Sequence, residues 1–90
     1  MQKHLNIKIS GLVQGVLFRR SARREAEKLN IKGFTRNEDD GSVYIEAEGE
    51  KENLKKFLDW CRNGPIFSRV EKVDFKFSSE IKNFTDFVVE

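Results

Sequence analysis

The chain has 90 residues, of which 17 are Lys or Arg and 15 are Asp or Glu, so its formal net charge is only +2. This length predicts one domain over residues 1–90 and leaves no room for a second catalytic domain. This net charge is too small to indicate binding to nucleic acids or membranes. With no bilayer-length apolar run, no secretory signal and a single cysteine, Cys61, we expect a cytoplasmic protein without an internal disulfide.

The first third of the chain predicts a strand, a loop and a helix. Residues 4–10 alternate apolar and polar, as a strand with one buried face does. From about residue 18 to residue 29, Phe18, Ala22, Ala26 and Leu29 recur at helical spacing. The stretch between these two elements contains two glycines and fits neither pattern.

The middle of the chain predicts a hairpin and a second helix. A short strand over residues 33–37 and an alternating strand over residues 42–48 flank the turn "NEDDG", in which Asp-Gly supplies the positive φ of a tight hairpin. Apolar residues at helical spacing predict a helix from about residue 52 to residue 62, which Gly64-Pro65 stops.

Two more strands complete the predicted architecture. The strand "RVEKVDFKFS" changes phase near Lys72, which indicates a bulge, and "FTDFVVE" can form a last strand. The order βαββαβ plus a terminal strand predicts an α+β fold, the ferredoxin-like split βαβ sandwich, with two helices on one face of a mainly antiparallel sheet. Because this fold hosts many functions, function must be argued from a site.

The loop "SGLVQGVLFRR" carries the features of an anion site. It joins the first strand to the start of the first helix, where free N–H groups and the positive dipole end favour an anion. Gly11 and Gly15 let the backbone bend and approach a ligand closely. Arg19 could hold two oxygens with its planar guanidinium, so the combination suits phosphate.

The residues missing from the chain limit the chemistry. The loop lacks the Walker A and dinucleotide patterns and has no cysteine nucleophile, and no His, Cys, Asp and Glu cluster has metal-ligand spacing. If this is a phosphoryl-transfer site, we expect water to be the nucleophile, with no metal, no cofactor and no covalent intermediate. Without a general acid the leaving group must need no proton, and a carboxylate, whose conjugate acid has a pKa of roughly 4, meets that condition. An acyl phosphate fits, with catalysis by positioning and charge stabilisation.

Two blocks resemble the signatures of the acylphosphatase family. "GLVQGVLFR" is similar to Gly-x-Val-Gln-Gly-Val-x-Phe-Arg, and "GFTRNEDDGSV" is similar to Gly-aromatic-Val-Arg-Asn followed by Asp-Gly-Ser-Val. The resemblance covers nearly the whole chain, with both blocks in the family's order and distance. It implies an enzyme that hydrolyses acyl phosphates to a carboxylate and inorganic phosphate.

The resemblance also implies roles for particular residues. Arg19 would bind the phosphate through its guanidinium, and Asn37 would orient the attacking water, since an amide both accepts from and donates to water. The phosphate cradle would be formed by the backbone amides of Gln14, Gly15, Val16, Leu17, Phe18 and Arg19. The chain departs from the family at Leu12, often basic there, at Leu17, often glycine in bacterial members, and at Thr35, where valine is usual.

Other conspicuous residues are interpreted as structural. We expect His4 to be exposed and far from the loop, and Gln14 to contribute its backbone more than its side chain. A solvated charged face is expected for Arg20, Arg23 and Arg24, with an i,i+4 pair between Arg23 and Glu27. Arg36 is expected to be a surface or structural residue. Packing is expected for Cys61, Trp60 and Tyr44, and turn formation for Asp39 and Asp40.

Two other function classes stay open beside the hydrolase. One is a phosphate-binding or carbamoyl-phosphate-handling module of a larger assembly, of the kind at the front of hydrogenase-maturation carbamoyltransferases; a chain of 90 residues favours the free enzyme. The other is an RNA-binding module, against which the aromatic residues lack the usual RNA-recognition pattern. For the hydrolase we expect a monomer that binds a small acyl phosphate, with inorganic phosphate as product and competitive inhibitor.

Overall fold

The computed structural model describes residues 1–90 and contains one five-stranded sheet and two helices. The elements are β1 (Gln2–Leu12), α1 (Phe18–Lys28), β2 (Lys32–Asn37), β3 (Val43–Glu50), α2 (Lys51–Asn63), β4 (Arg69–Ser78) and β5 (Phe87–Val89). The strand order is β4-β1-β3-β2-β5, and every pair is antiparallel except β2 with β5. The predicted ferredoxin-like α+β architecture, with its terminal strand, is confirmed. Neither helix is long and apolar enough to cross a bilayer.

The core lies between the two helices and one face of the sheet. On the strands, the alternating residues Leu5, Ile7 and Ile9 are fully buried, as the period of two predicts. The helices contribute the residues at helical spacing, Phe18, Ala22, Ala26, Leu54, Phe57, Leu58 and Cys61. Cys61 is fully buried among these residues and packs as a small apolar residue, as expected, and its burial raises the pKa of the thiol.

A bulge ends the regular pairing of β1 with β4. Ser10 lies opposite Lys72 and Gly11 lies opposite Val70, so one residue of β4, Glu71, is left without a partner. The predicted bulge near Lys72 is confirmed. Gly11 has φ 128°, and a Cβ at this position would lie 2.2 Å from the carbonyl oxygen of Arg69. The glycine is therefore required by the close approach of β4, and it sets the direction in which β1 enters the loop.

His4 corrects the expectation of an exposed histidine, because it is only 3% exposed. The strands β4 and β5 lie at opposite edges of the sheet, so residues 79–86, here called the crossover segment, must pass over the face that the helices leave open. The ring of Phe84 lies 5.9 Å from that of His4, and His4 Nδ1 lies 2.7 Å from Glu48 Oε2. His4 nevertheless stands at the start of β1, at the end of the strand away from the loop, as expected.

Candidate active site

A cleft of about 230 Å³ opens where β1 and β2 end and α1 begins. It is lined by Val13, Gly15, Leu17, Phe18, Arg19, Arg20, Asn37 and Val89. The fold thus brings Arg19 and Asn37, distant in the chain, to one concave surface. Of the residues assigned to the cradle, Gly15, Leu17, Phe18 and Arg19 line the cleft, whereas Gln14 and Val16 do not.

The start of α1 is not capped by a side chain. Leu17 occupies the N-cap position with φ 65° and ψ 21°, and it makes no side-chain hydrogen bond to the helix. The first turn contains no acidic residue. The free N–H groups and the positive dipole end are therefore uncompensated beside the cleft. Gly15 has φ 74° with open space around its Cα, so its conformation, not packing, requires a glycine there.

Arg19 is held at the cleft by the residue that follows β5. Its Nη1 donates a hydrogen bond to the backbone oxygen of Glu90. The Glu90 N–H in turn donates to the carbonyl oxygen of Thr35, at 2.8 Å, and this contact continues the pairing of β5 with β2. One edge of the guanidinium is thus fixed, while its other N–H groups remain available for a ligand.

Gln14 joins the loop to the hairpin between β2 and β3. Its side-chain Nε2 donates to the carbonyl oxygens of Glu38, at 2.8 Å, and of Ser42, at 3.0 Å. The expectation that Gln14 contributes mainly its backbone therefore missed a contact of its side chain. No local pattern could reveal it, since both acceptors are backbone carbonyls, 24 and 28 residues further along the chain.

The hairpin itself is closed by the residues expected to form its turn. The Glu38 N–H donates to the Ser42 carbonyl at 2.9 Å, and Asp40 Oδ1 accepts from both the N–H and the hydroxyl of Ser42. Asp40 also pairs with Lys8 at 2.8 Å. The hydrogen bond from Lys8, followed by those from Ser42, holds the pKa of the Asp40 carboxyl well below its usual range. These contacts fix the end of β2, where Asn37 is exposed to the cleft.

Most of the residues interpreted as structural lie away from the cleft. Arg23 pairs with Glu27 at 3.3 Å. Arg36 lies over the ring of Tyr44, 4.9 Å from its centroid, and Trp60 packs against Phe18 at 5.4 Å. Arg20 is the exception, because it is exposed at the rim of the cleft. No group of three or more His, Cys, Asp or Glu side chains is arranged to hold a metal ion.

The fold and the cleft define a ferredoxin-like α+β domain with a cationic cleft suited to an oxyanion. The acylphosphatase family model matches residues 5–89. The chain therefore belongs to the acylphosphatase family, hydrolases that act on acyl phosphates.

Individual relatives agree with this assignment. An acylphosphatase of Methylococcus capsulatus is 40% identical, over 97% of this chain and 95% of its own. The crystal structure of an acylphosphatase from Bacillus subtilis superposes with a TM-score of 0.94 at 34% identity, covering 100% of this chain and 99% of that one. Full-length HypF, in a phosphate- and nucleotide-bound form, is 29% identical with a TM-score of 0.88; the match covers 100% of this chain but only 12% of HypF.

Proposed function

We propose that this protein hydrolyses acyl phosphates by direct attack of water on phosphorus, with Arg19 and the loop amides holding the phosphoryl group and Asn37 orienting the water. A bond forms between the water oxygen and phosphorus, the bond from phosphorus to the acyl oxygen breaks, and a carboxylate and inorganic phosphate leave. The observation that carries this proposal is the convergence of Arg19 and Asn37 on one cleft at the uncapped start of α1.

The phosphoryl group is bound by positive charge and by N–H donors. The backbone N–H groups of residues 14–19 offer hydrogen bonds at the positive end of the α1 dipole. Arg19 adds a full charge, and its contact with the Glu90 backbone oxygen restricts the guanidinium before substrate arrives. Donors that are already oriented need little rearrangement as charge shifts onto the transferred group.

Asn37 suits a water-positioning role because of where it lies and what it carries. Asn37 is the last residue of β2 and lines the same cleft as the start of α1. The contacts that Gln14 and Asp40 make within the hairpin fix its position. Its uncharged amide can accept from and donate to a water without repelling the phosphate. The contribution expected of it is proximity and orientation.

The choice of leaving group follows from the groups around the cleft. Its lining contains no Asp, Glu, His, Cys or Tyr, so no side chain there can act as a general acid. His4 is buried at the other end of β1 against Glu48, and Cys61 is buried in the core. A carboxylate, whose conjugate acid has a pKa of roughly 4, leaves without a proton, whereas an alkoxide does not.

A matched pair of substrates tests the proposal. Benzoyl phosphate and phenyl phosphate carry similar rings but differ in the acidity of the leaving group. We expect rapid hydrolysis of the first and at least a thousandfold lower kcat/KM for the second, with no effect of EDTA on either. Inhibition by EDTA that Mg²⁺ reverses would contradict the metal-free mechanism. Binding of inorganic phosphate without turnover of benzoyl phosphate would instead support a phosphate-binding module.

Two further parts of the proposal concern the state of the protein. We propose that it acts as a monomer, since Arg19 and Asn37 of the same chain already meet in the cleft and the proposed mechanism needs no residue from a second copy. We also propose a cytoplasmic location, because its one cysteine is a buried free thiol, which suits a reducing compartment.

A further inference from the structure

The rim of the cleft carries two exposed apolar side chains that phosphate binding does not use. Leu17 is 63% exposed and Val89 is 36% exposed, and both line the cleft beside Arg19. Below them the buried Val13 and Phe18 continue the apolar lining. An acyl phosphate bound through its phosphoryl group must place its acyl group against some part of this surface.

The backbone conformation makes Leu17 an unexpected residue at its position. Its φ of 65° lies in the left-handed region, where glycine is favoured and a side chain costs energy. It also occupies an N-cap, where Ser, Thr, Asp and Asn are preferred. Because Leu17 is largely exposed, burial within the protein does not offset either cost. The unfavourable conformation of Leu17 lies beside the proposed phosphate site and is not offset by any gain in folding stability. Such strain indicates that the residue has a role in function.

Val89 is placed at the cleft by β5, and the residue after this strand contacts Arg19. Along β5, Phe87 is buried in the core, Val88 lies beside Phe34 on the opposite face of the sheet, and Val89 turns back to the cleft. The following residue, Glu90, accepts the hydrogen bond from Arg19. The apolar side chain of Val89 therefore lies within one residue of the group that positions the phosphate-binding arginine.

We propose that Leu17 and Val89 form an acyl subsite that contacts the acyl group of the substrate and selects aromatic or branched acyl phosphates over acetyl phosphate. This inference rests on the proposed hydrolysis of acyl phosphates. With its phosphoryl group in the cradle, such a substrate would extend its acyl group out of the cleft, toward the rim where the two side chains lie. Contact there removes apolar surface of both partners from water, and a difference of one or a few carbon groups in such a pocket changes kcat/KM on the order of tenfold.

The test compares substrate preference across variants. The ratio of kcat/KM for benzoyl phosphate to that for acetyl phosphate is measured in the parent, in Leu17→Gly and in Val89→Ala. We expect both substitutions to lower this ratio by about three- to tenfold, mainly through a higher KM for benzoyl phosphate. The matched control is Val88→Ala, which removes the same atoms from the neighbouring residue on the other face and should leave the ratio unchanged. Because ratios are compared between variants, the intrinsic reactivity of each substrate cancels.

Each outcome distinguishes the subsite from the hydrolysis itself. Leu17→Gly could also alter the cradle, but that would affect both substrates, and Val89→Ala leaves the loop untouched. If the parent hydrolyses both substrates and neither variant changes the ratio, the proposal of an acyl subsite is wrong, whereas the proposed hydrolysis of acyl phosphates is supported. If the parent hydrolyses neither, the proposed function fails, and the subsite with it. If succinyl phosphate is preferred to benzoyl phosphate and Arg20→Ala removes that preference, the rim selects charge and the apolar subsite is overturned.

Discussion

Gln14 Nε2 lies 2.8 Å from the backbone carbonyl oxygen of Glu38, so the side chain of a loop residue reaches the residue that follows Asn37. The second acceptor, the Ser42 carbonyl, belongs to the same hairpin. The loop that would hold the phosphate is thus attached to the strand end that would hold the water. From this contact we expect a positioning role for Gln14, which its place between Val13 and Gly15 in the sequence does not suggest.

Replacing Gln14 by Met keeps the length of the side chain and removes both donors. We expect kcat for benzoyl phosphate to fall about tenfold, because the water and the phosphoryl group are no longer held in fixed relation, while KM changes little. The free energy of unfolding should fall by about 1–2 kcal/mol, since two carbonyls lose a partner. Steady-state kinetics and urea unfolding measure the two effects.

The control for Gln14 is Gln2→Met, which removes an exposed amide contact to Glu50 far from the cleft. It should leave kcat unchanged. A Gln14→Met protein with the parent's kcat and lowered stability would show a merely structural role.

Asn37→Ala should lower kcat by a factor on the order of a hundred or more while changing phosphate affinity little, because the amide is proposed to hold water and not phosphate. Turnover of benzoyl phosphate and calorimetric binding of inorganic phosphate separate the two effects. Asn63→Ala, at the exposed end of α2, serves as the control. Near-normal kcat in a folded Asn37→Ala protein would remove Asn37 from the mechanism.

Arg19→Gln should differ from Asn37→Ala by losing phosphate affinity as well as turnover, because a charge-assisted contact to the phosphoryl oxygens is removed. In the parent, inorganic phosphate should inhibit competitively, raising the apparent KM and leaving kcat unchanged. The control is Arg24→Gln on the exposed part of α1, since Arg24 does not line the cleft. Circular dichroism must first establish that each variant is folded. Undiminished phosphate binding by Arg19→Gln would place the cradle elsewhere.

Sequence periodicity predicted the fold well because the buried faces repeat with the period of each element. Ile7 and Ile9 on β1, and Ala22 and Ala26 on α1, are buried where that period places them. Even the bulge near Lys72 appears as a change of phase. Local pattern suffices where a residue's environment is set by its own strand or helix.

Contacts between distant segments could not be predicted in this way. His4 alternates with core residues and so belongs on the solvent side, but the crossover segment covers it from above. The contact of Arg19 with Glu90 joins residues 71 positions apart in the chain, and the Gln14 contacts go to backbone carbonyls. In each case the partner is chosen by topology, which the local sequence does not encode.

Thr35 is fully buried on β2, and its Oγ1 has no hydrogen-bond partner. Thr35→Val replaces this hydroxyl with a methyl group of the same shape. We expect the free energy of unfolding to rise by about 1 kcal/mol, because a buried polar atom without a partner is removed. Urea unfolding measures the change, and Thr85→Val, at an exposed position in the crossover segment, should have an effect close to zero. A destabilised Thr35→Val protein would mean that the hydroxyl has a partner, such as a buried water.

The Glu48 carboxylate binds the crossover segment to the sheet by accepting hydrogen bonds from the N–H groups of Lys82 and Phe84. We expect the contribution of these contacts to stability to depend on pH. Burial acts to raise the pKa of Glu48, but hydrogen bonds from the Lys82 N–H, from His4 and from the Phe84 N–H outweigh it, so the pKa lies below its ordinary value of 4.5. Glu46 and the Lys82 ammonium are the other charged groups beside His4 and Glu48. A lowered pKa in the folded state means that the unfolded chain binds the proton more tightly.

The contribution of Glu48 to stability is therefore complete above its ordinary pKa and is lost as the pH falls through the folded value. Glu48→Gln should lower the free energy of unfolding by about 1–3 kcal/mol at neutral pH, and the difference from the parent should shrink as the pH falls through 4.5 and below the lowered pKa of Glu48. Urea unfolding across this range measures it. Glu27→Gln, which loses only an exposed pair with Arg23, should cost less than about 1 kcal/mol at every pH. If the parent and Glu48→Gln lose stability in parallel as the pH falls, the acid sensitivity comes from other carboxylates and the crossover segment is not held by the charge of Glu48.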